Sequence, residues 1–551
     1  WYLPQKILLF PHLLLHLFKL TAFEQGLLQG ELRARSTGNG PFYSFKGIPY
    51  AEPPVKKLRF KPPRPPQPWT GVRQAREHGP VCPQTDFYTN EYIPGDEDCL
   101  TLNVYSPNLT PDTPLSVIVF IHGGGYLSGS GNEDEFGPDF LMDHNVVLVT
   151  FNYRLSALGF LALHIKEAPG NAGMKDQVAV LRWVRKNIDQ FGGNPDNVTL
   201  LGQSVGGSSV TLHTVSPISR GLFNRGIAMS GVLIDDYGRG FEASRHAYNL
   251  CLKLGFYTQD PVKALKFLQN ASVGALVRTK PYVLLNEKVK TRARDNIESF
   301  GPVVEKDFGE GHFITECPVE MIKAGKIHDV EMMVGYTTRE QTYTAYKKQD
   351  YILKYYPFYK ELLLPFEILH LRDPKEYLPL ADRIHEHYMG NQPIALATMK
   401  KFIQLFSCLN TYDIYRFAEM WPRNFTKIFF YEFSCYSERN VYGKYGLQYG
   451  VKNATHMDDL MYVFDGKKFN LTIDKDSDSY RMIEQTCKLF TNFAKHGNPT
   501  PDNSLGVTWR AYKRSRSYLN IDFKLTSKRI GGDTDFNFWR SIYDSALLTF
   551  A

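Results

Sequence analysis

The stretch LLGQSVGGSS, Leu200–Ser209, places a serine between two glycines in the pattern Gly-x-Ser-x-Gly. The pattern alone is weak, because average composition gives about 0.2 chance matches in a chain of this length. Its position is more informative, since the apolar run 197–201 predicts a strand before it and the residues after Ser204 open a predicted helix. A serine at such a turn is held in a strained conformation with its hydroxyl exposed above the sheet. The stretch therefore predicts an α/β fold with Ser204 as a nucleophile.

The neighbouring segments alternate between strand and helix patterns. Ser116–Gly125, Asn145–Arg154 and Gly221–Gly231 each contain a β-branched or apolar run, and Asn171–Gly193 carries apolar residues at helical spacing. After Val232 the chain reads as helix-rich, with one further strand-like run, EMMVGY. Strands that alternate with helices indicate a large, mostly parallel central sheet flanked by helices, here with helical insertions. Because no linker or internal repeat interrupts the chain, residues 17–551 are predicted to form a single domain.

Composition excludes several other classes of protein. The net charge of +7 is spread along 551 residues without a long basic run, so no nucleic-acid partner is expected. Residues 1–16 are apolar and fit a signal-peptide remnant or an apolar N-terminus, which favours a secreted protein over the cytoplasmic alternative. No other stretch is long enough for a stable membrane anchor. The oligomeric state is left open.

The cysteine pattern predicts neither a metal site nor a cofactor. Seven cysteines occur, without a CxxC pair or another metal-ligand spacing. Cys82 and Cys99 close a short loop that an exported protein could bridge. Buried free thiols are expected at the five scattered positions, namely Cys251, Cys317, Cys408, Cys435 and Cys487.

A glycine loop follows the strand that begins at Ser116. HGGGY, His122–Tyr126, lets the backbone approach a substrate carbonyl, and backbone N–H groups stabilise a developing oxyanion without reorganisation. Such a loop is the expected companion of a nucleophile at a strand-to-helix turn. The two features together predict acyl-transfer chemistry.

Five motifs resemble the type-B carboxylesterase and cholinesterase family of α/β-hydrolases. They are EDCLTLNVY, HGGGY, NYRLSALGF, GNAGMKDQ and FGGNPDNVTLLGQSVGG, and the match runs from about Gln25 to Ser541. The details are most similar to the insect α-esterase branch. The resemblance implies an α/β-hydrolase fold and a serine carboxylesterase that acts through an acyl-enzyme intermediate.

The resemblance also implies which residues do the chemistry. Glu340 in VGYTTREQTY matches the family's acid and His456 in THMDDLMYVF its histidine, which completes a triad with Ser204. The oxyanion donors would be the N–H groups of Gly124, Gly125 and Val205. Structural residues are implied too: a Cys82–Cys99 disulfide and the ion pairs Arg59–Glu97 and Arg154–Asp176. No second disulfide is expected, because the family's partner position for Cys251 holds Phe267.

The substrate is expected to be a neutral, apolar small-molecule ester. The loop between the two cysteines lacks the Trp with which cholinesterases bind a quaternary ammonium, and Gln203 replaces their usual Glu before the serine. Tyr237 and Phe300 match positions that line the family's acyl pocket, with ordinary core packing as the alternative. Sequons at Asn108, Asn270, Asn424 and Asn470 are candidate glycosylation sites if the chain is exported.

Three other functions stay open from the sequence. Gln203 also resembles juvenile hormone esterases, which would cleave a methyl ester in a long apolar gorge. A slow-turnover member of the family would sequester esters or organophosphates, and a non-catalytic member would act as a binding protein.

Overall fold

The protein is described by a computed structural model over residues 18–23, 25–235, 240, 242–282, 300–422, 427–530 and 534–546. Segment 1–16, Tyr237 and Asn424 lie outside the described residues, so the expectations for them stay as stated.

A thirteen-stranded sheet forms the centre of the molecule. Its order is β1-β2-β3-β7-β9-β8-β10-β11-β12-β13-β14-β15, with β4 beside β2, while β5 and β6 form a separate ribbon. The strands are β1 Phe18–Phe23, β2 Gly26–Ala34, β3 Pro41–Pro49, β4 Val72–Gln74, β5 Gln84–Thr85, β6 Tyr92–Ile93, β7 Thr101–Ser106, β8 Leu115–Ile121, β9 Val147–Phe151, β10 Gly193–Gln203, β11 Arg225–Met229, β12 Glu331–Thr337, β13 Ile428–Phe433, β14 Ser517–Ile521 and β15 Thr526–Arg529.

The middle of the sheet is parallel from β9 through β8 and β10 to β14, and antiparallel strands flank it. This confirms the expected α/β class with a mostly parallel central sheet. The expectation of a single strand after Val232 is wrong, because β13, β14 and β15 follow β12. β13 pairs with β12 although 90 residues of mainly helical chain separate them in sequence, and a pattern read along the chain does not show that pairing.

Helices cover the sheet and form the insertions. They are α1 Asp139–Met142, α2 Ser156–Phe160, α3 Ala172–Asn187, α4 Val205–His213, α5 Ala243–Lys253, α6 Pro261–Asn270, α7 Val273–Arg278, α8 Pro318–Lys323, α9 Thr342–Lys347, α10 Gln349–Tyr355, α11 Phe366–Leu371, α12 Pro374–Met389, α13 Met399–Met420, α14 Asp478–His496, α15 Tyr512–Ser515 and α16 Thr534–Ser545. Within the described part of the chain, no helix combines the length and apolar character needed to span a bilayer.

The parallel centre brings four chain segments to one edge of the sheet. β8, β10, β11 and β12 are neighbours that run in the same direction, so their carboxyl ends lie side by side. The segments that leave these ends begin at His122, Ser204, Ser230 and Thr338. Ligands in such sheets bind at the carboxyl ends of the strands, so this edge is where a site is expected.

A disulfide and two ion pairs fix the loops around that edge. Cys82 and Cys99 are bonded, which confirms the expected disulfide. The Arg59 guanidinium lies 2.7 Å from Glu97, which belongs to the loop closed by this disulfide. Arg154 lies 2.6 Å from Asp176 in the core. Four of the remaining cysteines are buried free thiols, but the expectation fails at Cys317, which is exposed immediately before α8.

Candidate active site

Ser204 lies in a tight turn between β10 and α4. Its backbone has φ 59° and ψ −130°, a conformation that L-residues rarely adopt and that costs about 1–3 kcal/mol. Its N–H donates to the Met229 carbonyl at 2.8 Å. A Cβ on Gly202 would approach the Gly206 carbonyl oxygen to 2.2 Å, and one on Gly206 would approach the Ile121 oxygen to 2.1 Å. Both glycines are therefore required by backbone contacts of the turn.

His456 and Glu340 form a hydrogen-bonded pair. The imidazole Nδ1 lies 2.6 Å from the Glu340 Oε2, and the His456 N–H donates to the Glu340 carbonyl at 3.2 Å. His456 and Ser204 line one cavity at the carboxyl edge of the sheet. The imidazole Nε2 faces the Gln203 side-chain amide at 3.1 Å. The structure thus brings together the three residues expected to form the triad.

The Glu340 carboxylate is fully buried and held by three donors. Its Oε1 accepts hydrogen bonds from the Ser230 hydroxyl at 2.7 Å and the Thr337 N–H at 2.6 Å. Burial alone would raise the pKa of Glu340, but the charge of His456 and the hydrogen bonds from His456, Ser230 and Thr337 bring this pKa below its ordinary value. Glu340 is therefore ionised at neutral pH and fixes the orientation of the imidazole. Sequence reasoning missed Ser230, although its place directly after β11 could have indicated it.

Two further buried carboxyl groups, Asp458 and Asp459, follow the histidine closely in sequence. Asp458 accepts hydrogen bonds from the Thr455 N–H at 2.9 Å and from the Tyr442 N–H at 3.1 Å, and so shapes the loop that carries His456. Burial and the nearby Glu340 charge raise the pKa of Asp459 to about 8. At neutral pH Asp459 is therefore mostly protonated and adds little charge to the pair above it.

The glycine loop and the start of α4 both line the cavity. Gly124 and Gly125 have φ values of 101° and 66°, which favour glycine, and both line the cavity together with Val205. The Val205 side chain is fully buried, and its carbonyl accepts hydrogen bonds from the Ser209 hydroxyl at 2.8 Å and the Tyr126 hydroxyl at 3.2 Å. The first residue of α4 is thus held in place directly after Ser204.

The cavity has a volume of about 340 Å³ and an aromatic wall. Phe87, Tyr88 and Tyr442 line it, and Tyr343 packs behind them with its ring centroid 4.8 Å from Tyr88 and 5.0 Å from Tyr442. Tyr445 extends the array, 5.3 Å from Tyr343. Sequence reasoning missed this wall because its rings come from three separate segments.

Comparison with known proteins identifies the family. The sequence model described as "Carboxylesterase family" matches residues 19–539. The chain belongs to the carboxylesterase family. Among relatives of this family, juvenile hormone esterase of Tribolium castaneum is 33% identical over 495 residues, which cover 85% of this chain and 82% of that protein. Esterase FE4 of Myzus persicae is also 33% identical, over 85% of this chain and 83% of its own length.

Solved structures show the same relationship. The crystal structure of juvenile hormone esterase from Manduca sexta, with OTFP covalently attached, matches with a TM-score of 0.85 and 28% identity. The match covers 96% of this chain and 100% of that chain. Together with the sheet order, it confirms the α/β-hydrolase fold. Juvenile hormone esterase of Tribolium castaneum and esterase FE4 of Myzus persicae are equally identical to this carboxylesterase, so the comparison does not assign it to one branch of the family.

The tentative pocket residues fall in different places in this carboxylesterase. Gln203 lines the cavity. Phe300 is 3% exposed and packs edge-on to His246 with a centroid distance of 6.4 Å. It is absent from the described residues that line the cavity at Ser204, which favours its alternative interpretation as a core residue.

A second cavity lies apart from this site. It has a volume of about 680 Å³ and is formed by the proline-rich loop 62–68, one face of α3 and residues 305–312. Its described lining contains none of Ser204, Glu340 and His456. The larger cavity of this carboxylesterase is therefore not the one that holds the candidate triad.

Proposed function

We propose that this protein hydrolyses neutral, apolar carboxylic esters, with Ser204 as the nucleophile. The observation that carries the proposal is the His456–Glu340 hydrogen bond of 2.6 Å beside a serine held at a strained strand-to-helix turn. Membership of the carboxylesterase family supports the reaction class. The aromatic wall supports an apolar substrate, because such rings bind hydrocarbon surface.

In the first half of the reaction, Ser204 Oγ attacks the ester carbonyl carbon while His456 Nε2 takes its proton. Glu340 stabilises the imidazolium, and the N–H groups of Gly124, Gly125 and Val205 stabilise the oxyanion. The bond between the carbonyl carbon and the alcohol oxygen then breaks, and His456 returns the proton to the leaving alcohol. This step leaves an acyl group on Ser204.

In the second half, water replaces the alcohol. His456 removes a proton from the water as its oxygen attacks the acyl carbon, and the bond to Ser204 Oγ then breaks. The proton returns to Ser204 Oγ, and the product leaves as the carboxylic acid, which then loses its remaining proton to solvent. If the second half is slow, the acyl-enzyme accumulates and the protein sequesters esters. A burst of alcohol release in pre-steady-state kinetics would identify this slow-turnover alternative.

Hydrolysis of a short p-nitrophenyl ester tests the proposal. Ser204→Ala is expected to lower kcat by 10³-fold or more, on the order of losses seen when a serine nucleophile is removed. Ser208→Ala is the matched control, because it removes a buried hydroxyl from the next turn of α4 and is expected to keep most of the activity. Equal rates for wild type and Ser204→Ala would exclude Ser204 as the nucleophile.

A juvenile-hormone-esterase-like methyl ester hydrolase is the second candidate function. The observations that favour it are the similarity to the Tribolium and Manduca enzymes and the aromatic wall. A panel of esters that separately varies acyl length and alcohol size tests it. A clear preference for methyl esters of long apolar acids would favour this candidate over a general carboxylesterase.

We further propose that the protein is exported. Disulfides persist in oxidising compartments, and the chain contains one between Cys82 and Cys99. A relative of similar length is Venom carboxylesterase-6 of Apis mellifera, 31% identical over 92% of this chain. The sequons at Asn108, Asn270 and Asn470 are exposed and accessible to a glycan.

A further inference from the structure

The side-chain amide of Gln203 contacts the reactive nitrogen of His456. Gln203 is the last residue of β10, where it is paired with Met229 of β11, and it is only 2% exposed. Its Nε2 lies 3.1 Å from the His456 Nε2. Gln203 is thus held by the sheet on one side of the imidazole, while Glu340 holds the other side at 2.6 Å.

The two contacts fix which form of the imidazole is favoured. An ionised Glu340 accepts only, so His456 Nδ1 carries a proton and, in the neutral ring, Nε2 is left with a lone pair. The Gln203 Nε2 carries two hydrogens and accepts none, so it can donate to that lone pair. Once His456 is protonated, N–H groups would face each other across the same 3.1 Å contact. The contact therefore stabilises the neutral ring and disfavours the imidazolium.

We propose that Gln203 is a positioning residue that stabilises the neutral form of His456, and that its amide leaves the Nε2 lone pair when the Ser204 hydroxyl donates to it. This inference rests on the proposed function, in which His456 is the general base for Ser204. A glutamate at this position would have the opposite effect, because its carboxylate would accept a hydrogen bond from the imidazolium. Gln203 thus lowers the pKa of His456 and extends the activity of this base toward acidic pH.

Other charged and titratable groups also act on His456. Glu340 contacts its Nδ1, and the buried Asp458 and Asp459 follow His456 on the same segment of chain. The remaining titratable groups that line the cavity are Asp86, Tyr88, His122, Asp134, Glu135, Tyr442 and Lys468. These groups are the same in wild type and in a Gln203 variant, so the difference between the two isolates the contribution of Gln203.

The acid limb of the pH profile of kcat/KM tests the proposal, because it reports the pKa of the base in the free enzyme. Gln203→Met keeps the shape of the side chain but removes the donor. Loss of one hydrogen bond to the neutral ring is expected to raise the apparent pKa by about 0.5 to 1 unit. Gln203→Glu is expected to raise it by about 1 to 3 units, as for an opposite charge at this distance.

Gln177→Met is the matched control. Gln177 is a second buried glutamine whose side chain meets a buried histidine, His213, at 2.9 Å. This variant is expected to leave the acid limb in place. A shift of equal size in Gln177→Met would overturn the proposal, because it would show a general effect on the fold.

Two other results would also overturn it: an acid limb that does not move in Gln203→Met, whatever Gln203→Glu does, or one that moves down in Gln203→Met. The second result would mean that the carboxamide oxygen faces the ring. The rate at which an organophosphate labels Ser204, followed by mass spectrometry across pH, gives the same pKa without turnover. If wild type neither hydrolyses esters nor labels at Ser204, the proposed function fails together with this inference.

Discussion

The environment of Glu340 explains how a fully buried carboxylate remains charged. Three donors, from His456, Ser230 and Thr337, compensate for the water that burial removes. In the proposed mechanism the ion is stabilised before the reaction, so that a positive charge can form on His456 without rearrangement of the protein. This role depends on charge, and a side chain of the same shape without charge cannot replace it.

Glu340→Gln is therefore expected to lower kcat by about 10³- to 10⁴-fold while the protein stays folded, as when a triad acid is replaced by its amide. The measurement is p-nitrophenyl ester hydrolysis, with folding checked by circular dichroism. Glu305→Gln provides a comparison, because Glu305 is also buried at 3% exposure but pairs with Lys175. A Glu340→Gln enzyme within tenfold of wild type would rule out Glu340 as the triad acid.

The individual elements show what could be predicted from the sequence. The turn at Ser204 is local: β10, the two glycines and α4 are contiguous, so a pattern read along the chain is enough to predict it. The glycine loop after β8 is equally local. The pairing of β13 with β12, and the contact of Tyr343 with Tyr442, join residues far apart in sequence. Periodicity along the chain carries no information about such contacts.

Resemblance to a family supplied what local patterns could not. His456 is one of fifteen histidines, and only its motif selected it for the position where the structure pairs it with Glu340. For Phe300 the resemblance left core packing open, and the ring lies beside His246. A matched position gives the backbone location but not the direction of the side chain.

The loop between Cys82 and Cys99 is the element whose stability depends most on a covalent bond. Its short strands β5 and β6 form only a two-residue ribbon. Cys82→Ser is expected to lower the free energy of unfolding by about 3 kcal/mol, from the entropy that the open loop gains in the unfolded chain. Thermal unfolding measures the effect. Cys317→Ser removes an exposed free thiol, so a similar loss in that variant would contradict the assignment to the disulfide.

At the scale of the whole molecule, buried carboxyl groups make the fold sensitive to alkaline pH. Burial raises the pKa of Asp458 and Asp465 to about 7 and that of Asp459 to about 8. In an unfolded chain these groups have a pKa of about 3.9. Between these values the folded protein binds protons that the unfolded chain has released, so stability is lost as the pH rises through this range.

Buried histidines act in the opposite direction at lower pH. Burial lowers the pKa of His122, His144 and His328 to about 4 and that of His213 to about 3. An unfolded histidine has a pKa of about 6.5. The unfolded chain therefore binds more protons between about pH 4 and 6.5, and these histidines reduce stability as the pH falls below about 6.5.

The two effects oppose each other below about pH 6.5, and only the carboxyl effect remains above it. We therefore expect the melting temperature to be highest near pH 6 to 6.5 and to fall toward pH 8. Each such proton changes the free energy of unfolding by up to about 1.4 kcal/mol per pH unit. Asp459→Asn removes one of these titrating groups, so the melting temperature of this variant is expected to fall less steeply between pH 6.5 and 8. Differential scanning calorimetry from pH 5 to 9 measures it, with Asp112→Asn in an exposed loop as the control. A melting temperature that rises steadily to pH 8 in wild type would show that these carboxyl groups are ionised in the folded protein.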